Sequence, residues 1–232
     1  MKTVVISSCT GKKYCKPENM LTIEDFKDSG ILKTKTTALE AYKSKASKIY
    51  TGPQHLLLME GLKELREKYG DGIIDLYIVS AGYGLLSEND LIVPYEVTFS
   101  TMNSKEINNW GRKLNIKEDL QRLIANYDLA IFILGDKYLK AVGLPLEEIP
   151  KDTKLIFITS KTASKNIPTA EHYFTLEYGK NEARSFSYGL VGLKGYLMKL
   201  LCYEIANNGK KILNSIYENP YCIKNILKKH EQ

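Results

Sequence analysis

Short apolar runs alternate along this chain with longer segments in which apolar residues recur every three or four positions. Five apolar runs of strand length predict buried strands at residues 2–8, 73–80, 128–134, 153–160 and, as an edge strand, 172–178. Helical spacing predicts helices at residues 37–47, 53–69, 104–114, 116–127 and 186–207, with a short helix from Asp136 and two more near the C-terminus. The clearest helix begins at Pro53 and stops at Gly70, two residue types that favour those positions.

The alternation of strands and helices predicts the class of fold. Strands that are apolar throughout are typical of parallel sheets covered on both faces. We therefore predict an α/β protein with a mostly parallel central sheet, flanked by helices in a Rossmann-like three-layer arrangement, and a helical C-terminus. Residues 1–185 should form the α/β domain, and residues 186–232 should form helices packed on the same domain. In the last long helix, Gly189, Gly192 and Gly195 indicate close packing, with a partner interface as the alternative.

The composition narrows the classes of function. The formal net charge of +6 fits a nucleotide or nucleic-acid partner, or else an ordinary lysine-rich surface. The apolar runs are too short to cross a membrane and the N-terminus does not match a signal peptide, so we expect a cytoplasmic protein with no membrane partner. Four cysteines match no zinc spacing, and we predict free thiols, no metal site and no cofactor.

Polar loops follow four of the predicted strands, after Ser8, Ser80, Leu134 and Ser160. They begin CTGKK, AGYGLL, GDKYL and KTASK. In parallel sheets the carboxyl ends of the strands meet at one edge, where ligands gather. The convergence of four small polar loops predicts a ligand site at this edge.

The loop CTGKK is the first candidate for binding an anion. Backbone amides near Thr10 and Gly11, with the side chains of Lys12 and Lys13, suit a phosphate or a carboxylate. The spacing fits neither a P-loop nor a dinucleotide fingerprint, so an ordinary polar turn is the alternative. Cys9 is a candidate nucleophile, because nearby lysines lower the pKa of a thiol. No histidine close in sequence could serve as its base, which favours a buried or incidental thiol as the alternative.

The loop that follows Ser80 is the second candidate. Ser80 is a candidate ligand-binding residue, and Gly82 and Gly84 permit unusual backbone angles and close approach of a ligand. Tyr83 between the two glycines should project into the cleft. The alternative is a tight turn with a packing tyrosine.

Two carboxylates lie further along the same segment. Pro94 stiffens an extended stretch that fixes Tyr95 and Glu96. Asp90 and Glu96 are candidate general acid or base groups. The alternative is that both carboxylates are solvated, which is commoner for carboxylates on loops.

Three residues outside these loops complete the set of candidates. Gly52 precedes the helix that begins at Pro53, and helix N-termini favour anions. His55 in that helix is more typical of a structural histidine. Arg184, before the last long helix, is a candidate phosphate ligand or a surface residue.

The segment from Ser80 to Tyr95 resembles the signature of the YaaA-type peroxide-stress protein family and its uncharacterised archaeal and phage relatives. The matching positions are Ser80, Tyr83, Gly84, Leu85, Leu86, Asp90, Ile92, Pro94 and Tyr95. SSCTGKK and YTGPQH also resemble segments of the family's relatives, so the similarity spans roughly residues 1–140. At Ser87 and Glu96 the chain departs from the arginines of YaaA proper. The resemblance implies a nucleic-acid or nucleobase context, without a defined reaction.

These features predict an enzyme that acts on a nucleobase or an N-glycosidic bond of a nucleotide or nucleic acid. In this hypothesis Tyr83 or Tyr95 stacks on the base, the CTGKK loop holds phosphate, and Asp90 or Glu96 transfers the proton. The main alternative is a non-catalytic DNA-binding stress-response protein, which predicts salt-sensitive binding to a lysine-rich face. A nucleotide sensor or transferase is a third possibility.

Overall fold

The structure, a computed structural model, describes residues 1–231 and has the α/β architecture predicted from the sequence. Its strands are β1 (Thr3–Ser8), β2 (Leu21–Thr22), β3 (Ser44–Lys45), β4 (Asp75–Ser80), β5 (Gly84–Ser87), β6 (Leu91–Ile92), β7 (Tyr95–Glu96), β8 (Leu129–Ile133), β9 (Lys154–Thr159) and β10 (Tyr173–Glu177). Its α-helices are α1 (Ser29–Ala38), α2 (Ala46–Ile49), α3 (Pro53–Tyr69), α4 (Ser104–Lys113), α5 (Ile116–Ile124), α6 (Asp136–Val142), α7 (Lys161–Ser164), α8 (Lys180–Ser185), α9 (Leu193–Asn208), α10 (Lys211–Glu218) and α11 (Cys222–Lys228).

Six strands form the central sheet, in the order β10-β9-β8-β1-β4-β5. Neighbouring strands are parallel except β5, which returns antiparallel to β4 as a hairpin. The strands are apolar because both faces are covered, and every residue of β8 is buried. The predicted mostly parallel sheet is confirmed, with β10 at its edge.

The order of the strands reverses once. From β1 the chain moves to β4 on one side, and it then places β8, β9 and β10 successively on the other side. In sheets of this kind a crevice opens where the order reverses, outside the carboxyl ends of the two flanking strands. Those strands are β1 and β8 here. We call this place, bordered by the residues that follow Ser8 and Ile133, the switch point.

Two groups of helices cover the sheet. α3 packs along α9, which also carries α10 and α11, whereas α4, α5 and α6 pack on one another. Right-handed crossovers from β1 to β4 and from β8 to β9 place α3 and α6 on opposite faces. Among residues 1–231, no helix combines the length and the apolar character needed to span a bilayer.

Glycine allows α3 and α9 to approach closely. A Cβ atom at Gly61 would lie 2.6 Å from the Cα of Lys199, and a Cβ at Gly195 would lie 2.1 Å from the carbonyl oxygen of Gln54. Side chains at these positions would push the two helices apart. The close packing predicted for Gly195 is confirmed.

The predicted helix at residues 37–47 is wrong. Helix α1 ends at Ala38, and Ser44–Lys45 form β3, which pairs antiparallel with β6. The Asp28 carboxylate fixes an earlier start for α1, because it accepts hydrogen bonds from the N–H groups at the first turn. A contact distant in sequence therefore overrides the local helical spacing.

The last long helix was predicted to start at residue 186, but α9 begins at Leu193. Gly189 and Gly192 therefore precede the helix rather than lying on one face of it. A Cβ at Gly192 would lie 2.8 Å from the Tyr188 ring and 3.4 Å from Pro53. The glycine lets the connection into α9 pass close to the start of α3.

His55 is fully buried in the first turn of α3. Its Nε2 lies 2.8 Å from the carbonyl oxygen of Ser47, so Nε2 carries the proton and donates. Its Nδ1 is buried without a partner among residues 1–231. Burial lowers the pKa of His55 below its ordinary value of 6.5, so the ring stays neutral in the folded protein.

We expect acid to destabilise the protein through His55. As the pH falls through 6.5, the unfolded chain takes up a proton on this histidine, whereas the folded protein resists protonation until a lower pH. The free energy of unfolding should therefore decrease below about pH 6.5. Urea denaturation of the wild type and of His55→Gln from about pH 5 to pH 8 measures the difference. If the free energy of unfolding changes with pH in the same way in both proteins, His55 is not the cause of the acid destabilisation.

Candidate functional site

Cys9 lies at the switch point, directly after β1. Its Sγ is 3.1 Å from the hydroxyl oxygen of Tyr138 on α6, which follows β8. The same hydroxyl lies 3.1 Å from the Cys9 carbonyl oxygen and can donate to it, and the Cys9 N–H donates to the carbonyl of Val79 on β4. The residue is 6% exposed. Contacts from both sides of β1 therefore fix the thiol in place.

The amide of Gln54 holds the two flanking strands together. Its Nε2 donates to the Ser8 hydroxyl (3.2 Å) and to the Ile133 carbonyl (3.1 Å). Gln54 is itself buried in the first turn of α3. The position of this helix is thus coupled to the geometry of the switch point.

Three buried hydroxyls form a hydrogen-bonded chain beside Cys9. The Ser80 oxygen accepts from the N–H groups of Gly82 (3.2 Å) and Tyr83 (3.1 Å), so its own proton is directed to the Tyr95 hydroxyl at 2.8 Å. Tyr95 and Tyr50 hydroxyls then lie 2.9 Å apart. We call Ser80, Tyr95 and Tyr50 the hydroxyl chain.

The tyrosines near Cys9 keep their protons. Burial, followed by the electrostatic effect of Cys9, raises the pKa of Tyr50, Tyr95 and Tyr138 well above the ordinary value of 10.0. Each hydroxyl is therefore neutral near pH 7. The Tyr138 proton is donated to the Cys9 carbonyl, and Tyr95 is hydrogen-bonded to Tyr50, so these hydroxyls hold the surroundings of the thiol in place.

Lys13 brings an amine to the same place. Its Nζ lies 4.1 Å from the centre of the Tyr95 ring. Burial lowers the pKa of Lys13, while the neighbouring Cys9 and Glu96 partly oppose the effect and Lys16 adds to it. A lysine whose pKa is lowered exchanges its proton more readily near neutral pH. We call Cys9, Lys13, Tyr138 and the hydroxyl chain the thiol cluster.

The loop CTGKK is fixed at one end and open at the other. The Thr10 hydroxyl accepts from the Gly52 N–H at 3.2 Å and donates to the Lys12 carbonyl at 2.8 Å. Gly11 and Lys12 are exposed, and a Cβ atom at Gly11 would meet no atom within 4 Å. Gly135, across the switch point after β8, has the same open surroundings. Gly11 and Gly135 are therefore open to their surroundings at the carboxyl ends of β1 and β8.

The residues around Tyr83 serve packing. The Tyr83 hydroxyl donates to the Val93 carbonyl at 3.2 Å, and its ring packs edge-to-face on Phe26 and Tyr95. Burial raises the pKa of Tyr83 to about 12. A Cβ atom at Gly82 would lie 2.9 Å from both the Phe26 and the Tyr95 rings. Gly82 thus accommodates aromatic rings rather than a ligand.

Tyr95 and Gly84 are likewise in close contact with other parts of the protein. Tyr95 is 1% exposed and Lys13 covers its ring, so this ring is no free surface for stacking a base. Gly84 begins β5 with φ at +75°, and a Cβ there would lie 2.8 Å from the Leu114 carbonyl oxygen. The hairpin between β4 and β5 requires glycine at this position.

The two candidate carboxylates lie in different places. Asp90 is exposed, and its carboxylate accepts from the Ser87 N–H at 2.8 Å, closing the turn after β5. Ser87 pairs with Tyr77, three residues before Ser80, so Asp90 lies toward the amino end of β4, away from Cys9. Glu96 is exposed, but it is near enough to raise the pKa of Lys13. The structure therefore does not bring Asp90 to the predicted site.

Arg184 lies on α8, beyond the carboxyl end of β10. It is exposed and lines a separate cleft of 570 Å³ with five other residues. The structure thus brings Cys9, Thr10, Lys13, Gly52, Ser80 and Tyr95 together around the carboxyl end of β1 and leaves Arg184 in a cleft beyond β10.

Two residues of the thiol cluster, Tyr138 and Tyr50, and the neighbouring Gln54 were not identified from the sequence. Tyr138 belongs to the loop GDKYL, which the convergence of loops had placed at this edge. Tyr50 and Gln54 flank Gly52 in the segment YTGPQ. Among residues 1–231, no group of three or more histidine, cysteine, aspartate or glutamate side chains is arranged to hold a metal ion.

One family model matches the chain. It is described as a family of unknown function (DUF6884) and matches residues 33–163, more than half of the 232 residues. The match includes Tyr50, Gln54, Ser80, Tyr95 and Tyr138, whereas Cys9 and Lys13 precede it. A search of curated proteins finds no match.

Proposed function

Because this chain belongs to DUF6884, a family of unknown function, we propose its activity from the thiol cluster: an enzyme that acts on a base of a nucleotide or nucleic acid, with Cys9 as the reacting group. The observation that carries the proposal is the Cys9 thiol, 3.1 Å from the Tyr138 hydroxyl at the switch point of the sheet. Ligands of such sheets bind there.

The charge of the carboxyl edge supports an anionic substrate. Exposed lysines follow the carboxyl ends of β1, β9 and β10, at Lys12, Lys16, Lys161 and Lys180. No carboxylate of residues 1–231 lies within 4.0 Å of any of them. Cations that are not neutralised locally attract a phosphate-bearing ligand.

The groups near Cys9 suit addition to an electron-poor ring carbon. The Cys9 thiol passes its proton to the Lys13 amine, its sulfur attacks that carbon and forms a C–S bond, and the displaced π electrons move to a ring nitrogen or carbonyl oxygen. The same proton, now on the Lys13 ammonium, neutralises the charge that develops there. Cleavage of an N-glycosidic bond is less well supported, because of the two candidate carboxylates Asp90 lies elsewhere and Glu96 is exposed.

The alternative is a nucleic-acid-binding protein without catalysis, and the unpaired lysines are the observation that favours it. The resemblance to YaaA-type stress proteins stays a prediction that fits either function. The two functions differ in what happens at Cys9. Only an enzyme of the proposed kind brings a base to the thiol.

Modification of the cysteines tests the proposal. We expect methyl methanethiosulfonate to modify Cys9 in the free protein, and a nucleotide or oligonucleotide to slow that reaction at least about tenfold by occupying the site. Peptide mass spectrometry measures each thiol separately, and the half-buried Cys15 and Cys222 are internal controls. In Lys13→Met the modification of Cys9 should be slower, because the amine that takes up the thiol proton is removed, whereas Lys16→Met should behave as the wild type.

Two results would contradict the enzyme. A Cys9 that does not react in the free protein cannot be its nucleophile. Nucleic-acid binding that leaves the rate at Cys9 unchanged would instead establish the non-catalytic binding protein.

A further inference from the structure

A cleft lies at the same edge of the sheet as the thiol cluster, beyond β10. Its volume is 570 Å³, and it is lined by Lys180, Ala183, Arg184, Ser187, Tyr188 and Leu190. These residues come from α8 and from the connection that leads into α9. The cleft contains no residue of the thiol cluster.

An aromatic wall is built into this cleft. The Tyr188 ring stacks on Tyr196 of α9, with ring centres 4.5 Å apart and planes 5° from parallel. The Tyr188 N–H donates to the Ala183 carbonyl at 2.8 Å, and Ser187 before it adopts φ of +48°. Tyr196 therefore covers one face of the Tyr188 ring, and Tyr188 also lines the cleft.

The two charged residues that line the cleft, Lys180 and Arg184, are both positive, and the Glu182 carboxylate between them on α8 accepts from the Gly179 N–H at 2.7 Å. Lys180 and Arg184 are exposed, and no carboxylate of residues 1–231 lies within 4.0 Å of their charged nitrogens. Cations that are not neutralised locally favour an anionic ligand at the cleft.

The start of α3 connects this cleft to Cys9. On one side the Gly52 N–H donates to Thr10, the residue that follows Cys9. On the other side Gly192 packs on Tyr188 and on Pro53. One helix terminus therefore lies between the thiol cluster and the aromatic wall.

We infer that this cleft is a second nucleotide subsite, in which a base stacks on Tyr188 and a phosphate binds Arg184 and Lys180. The inference rests on the proposed function. It names the substrate class as a single-stranded nucleic acid, which places one nucleotide in the cleft and another base of the same strand at Cys9. A duplex hides the faces of its bases, whereas stacking on an aromatic ring and phosphate binding by Arg and Lys are the usual features of single-strand recognition.

Fluorescence anisotropy with labelled eight-nucleotide DNA and RNA strands tests the subsite. We expect Arg184→Gln and Tyr188→Ala each to weaken binding by about tenfold, since loss of one stacked base or one phosphate contact has effects of this order. Tyr188→Phe should bind as the wild type, because the stacking face is kept. Arg112→Gln, an exposed arginine on α4 without an ion pair in the described residues, removes the same charge elsewhere and should have no effect.

The outcomes separate the subsite from the proposed function. If mononucleotides protect Cys9 but Arg184→Gln and Tyr188→Ala bind strands as the wild type does, the subsite is overturned and the enzyme stands. If no nucleotide or strand protects Cys9, the enzyme itself is overturned. Weakening in Arg184→Gln alone, or equal competition by duplex DNA or polyglutamate, would also overturn the subsite. Thermal melting of Tyr188→Ala and Tyr188→Phe shows whether a loss of strand binding is caused by misfolding.

Discussion

Gly195→Ala should destabilise the protein by roughly 1–3 kcal/mol or more. The added Cβ would lie 2.1 Å from the carbonyl oxygen of Gln54 and 2.7 Å from its Cα. Both atoms belong to the backbone of α3, so no side-chain rotation relieves the overlap. The helices α3 and α9 must therefore move apart, which weakens the packing between them.

The same substitution should disturb the thiol cluster. Gln54 ties Ser8 to Ile133 across the switch point, and its backbone is the part that Gly195→Ala displaces. Urea denaturation gives the free energy of unfolding, and the modification rate of Cys9 reports the site.

Gly189→Ala is the matched control for this prediction. A Cβ at Gly189 would meet no atom within 4 Å, and its φ does not lie in the left-handed region. Its free energy of unfolding should stay within about 0.5 kcal/mol of the wild type. If the two alanine variants are equally stable, the contact between α3 and α9 can accommodate a methyl group and the prediction is wrong.

The strands of the sheet could be predicted because their apolar runs are a strong and local feature of the sequence. Apolar runs such as residues 128–134 and 153–160 have no polar face to expose, so only a doubly covered sheet suits them. The starts of helices were less predictable. α9 begins at Leu193 because the connection before it packs on Tyr188 and Pro53, a contact that no local spacing contains.

The location of the candidate site could be predicted from the topology of the sheet, but the roles of its side chains could not. Loops after parallel strands converge whatever their sequence, and this places Cys9, Lys13 and Ser80 together. The segment after Ser80 was expected to be a loop around a ligand. It forms the β4–β5 hairpin instead, which carries Asp90 toward the opposite end of β4 and packs Tyr83 against Phe26. The glycines mark this hairpin, and the sequence alone did not distinguish it from a binding loop.

Tyr95→Phe should cost about 1–3 kcal/mol of stability, more than Tyr50→Phe, because it removes the middle of the hydroxyl chain. The Ser80 proton is directed to Tyr95, and Tyr95 is also the partner of the Tyr50 hydroxyl. All three groups are buried, so water does not replace the lost bonds. Tyr50→Phe removes only the last hydroxyl and leaves the Ser80–Tyr95 bond intact.

Urea denaturation of both variants and of the double variant measures the coupling within the chain. The two losses should be less than additive, because once Tyr95 lacks its hydroxyl, that of Tyr50 has already lost its partner. Tyr42→Phe is the control, since Tyr42 is exposed and its hydroxyl makes no hydrogen bond among the described residues, so its stability should not change. Strict additivity would mean that the hydroxyls act independently. Non-additivity, together with faster or slower modification of Cys9 in Tyr95→Phe, would show that the chain supports the thiol as one unit.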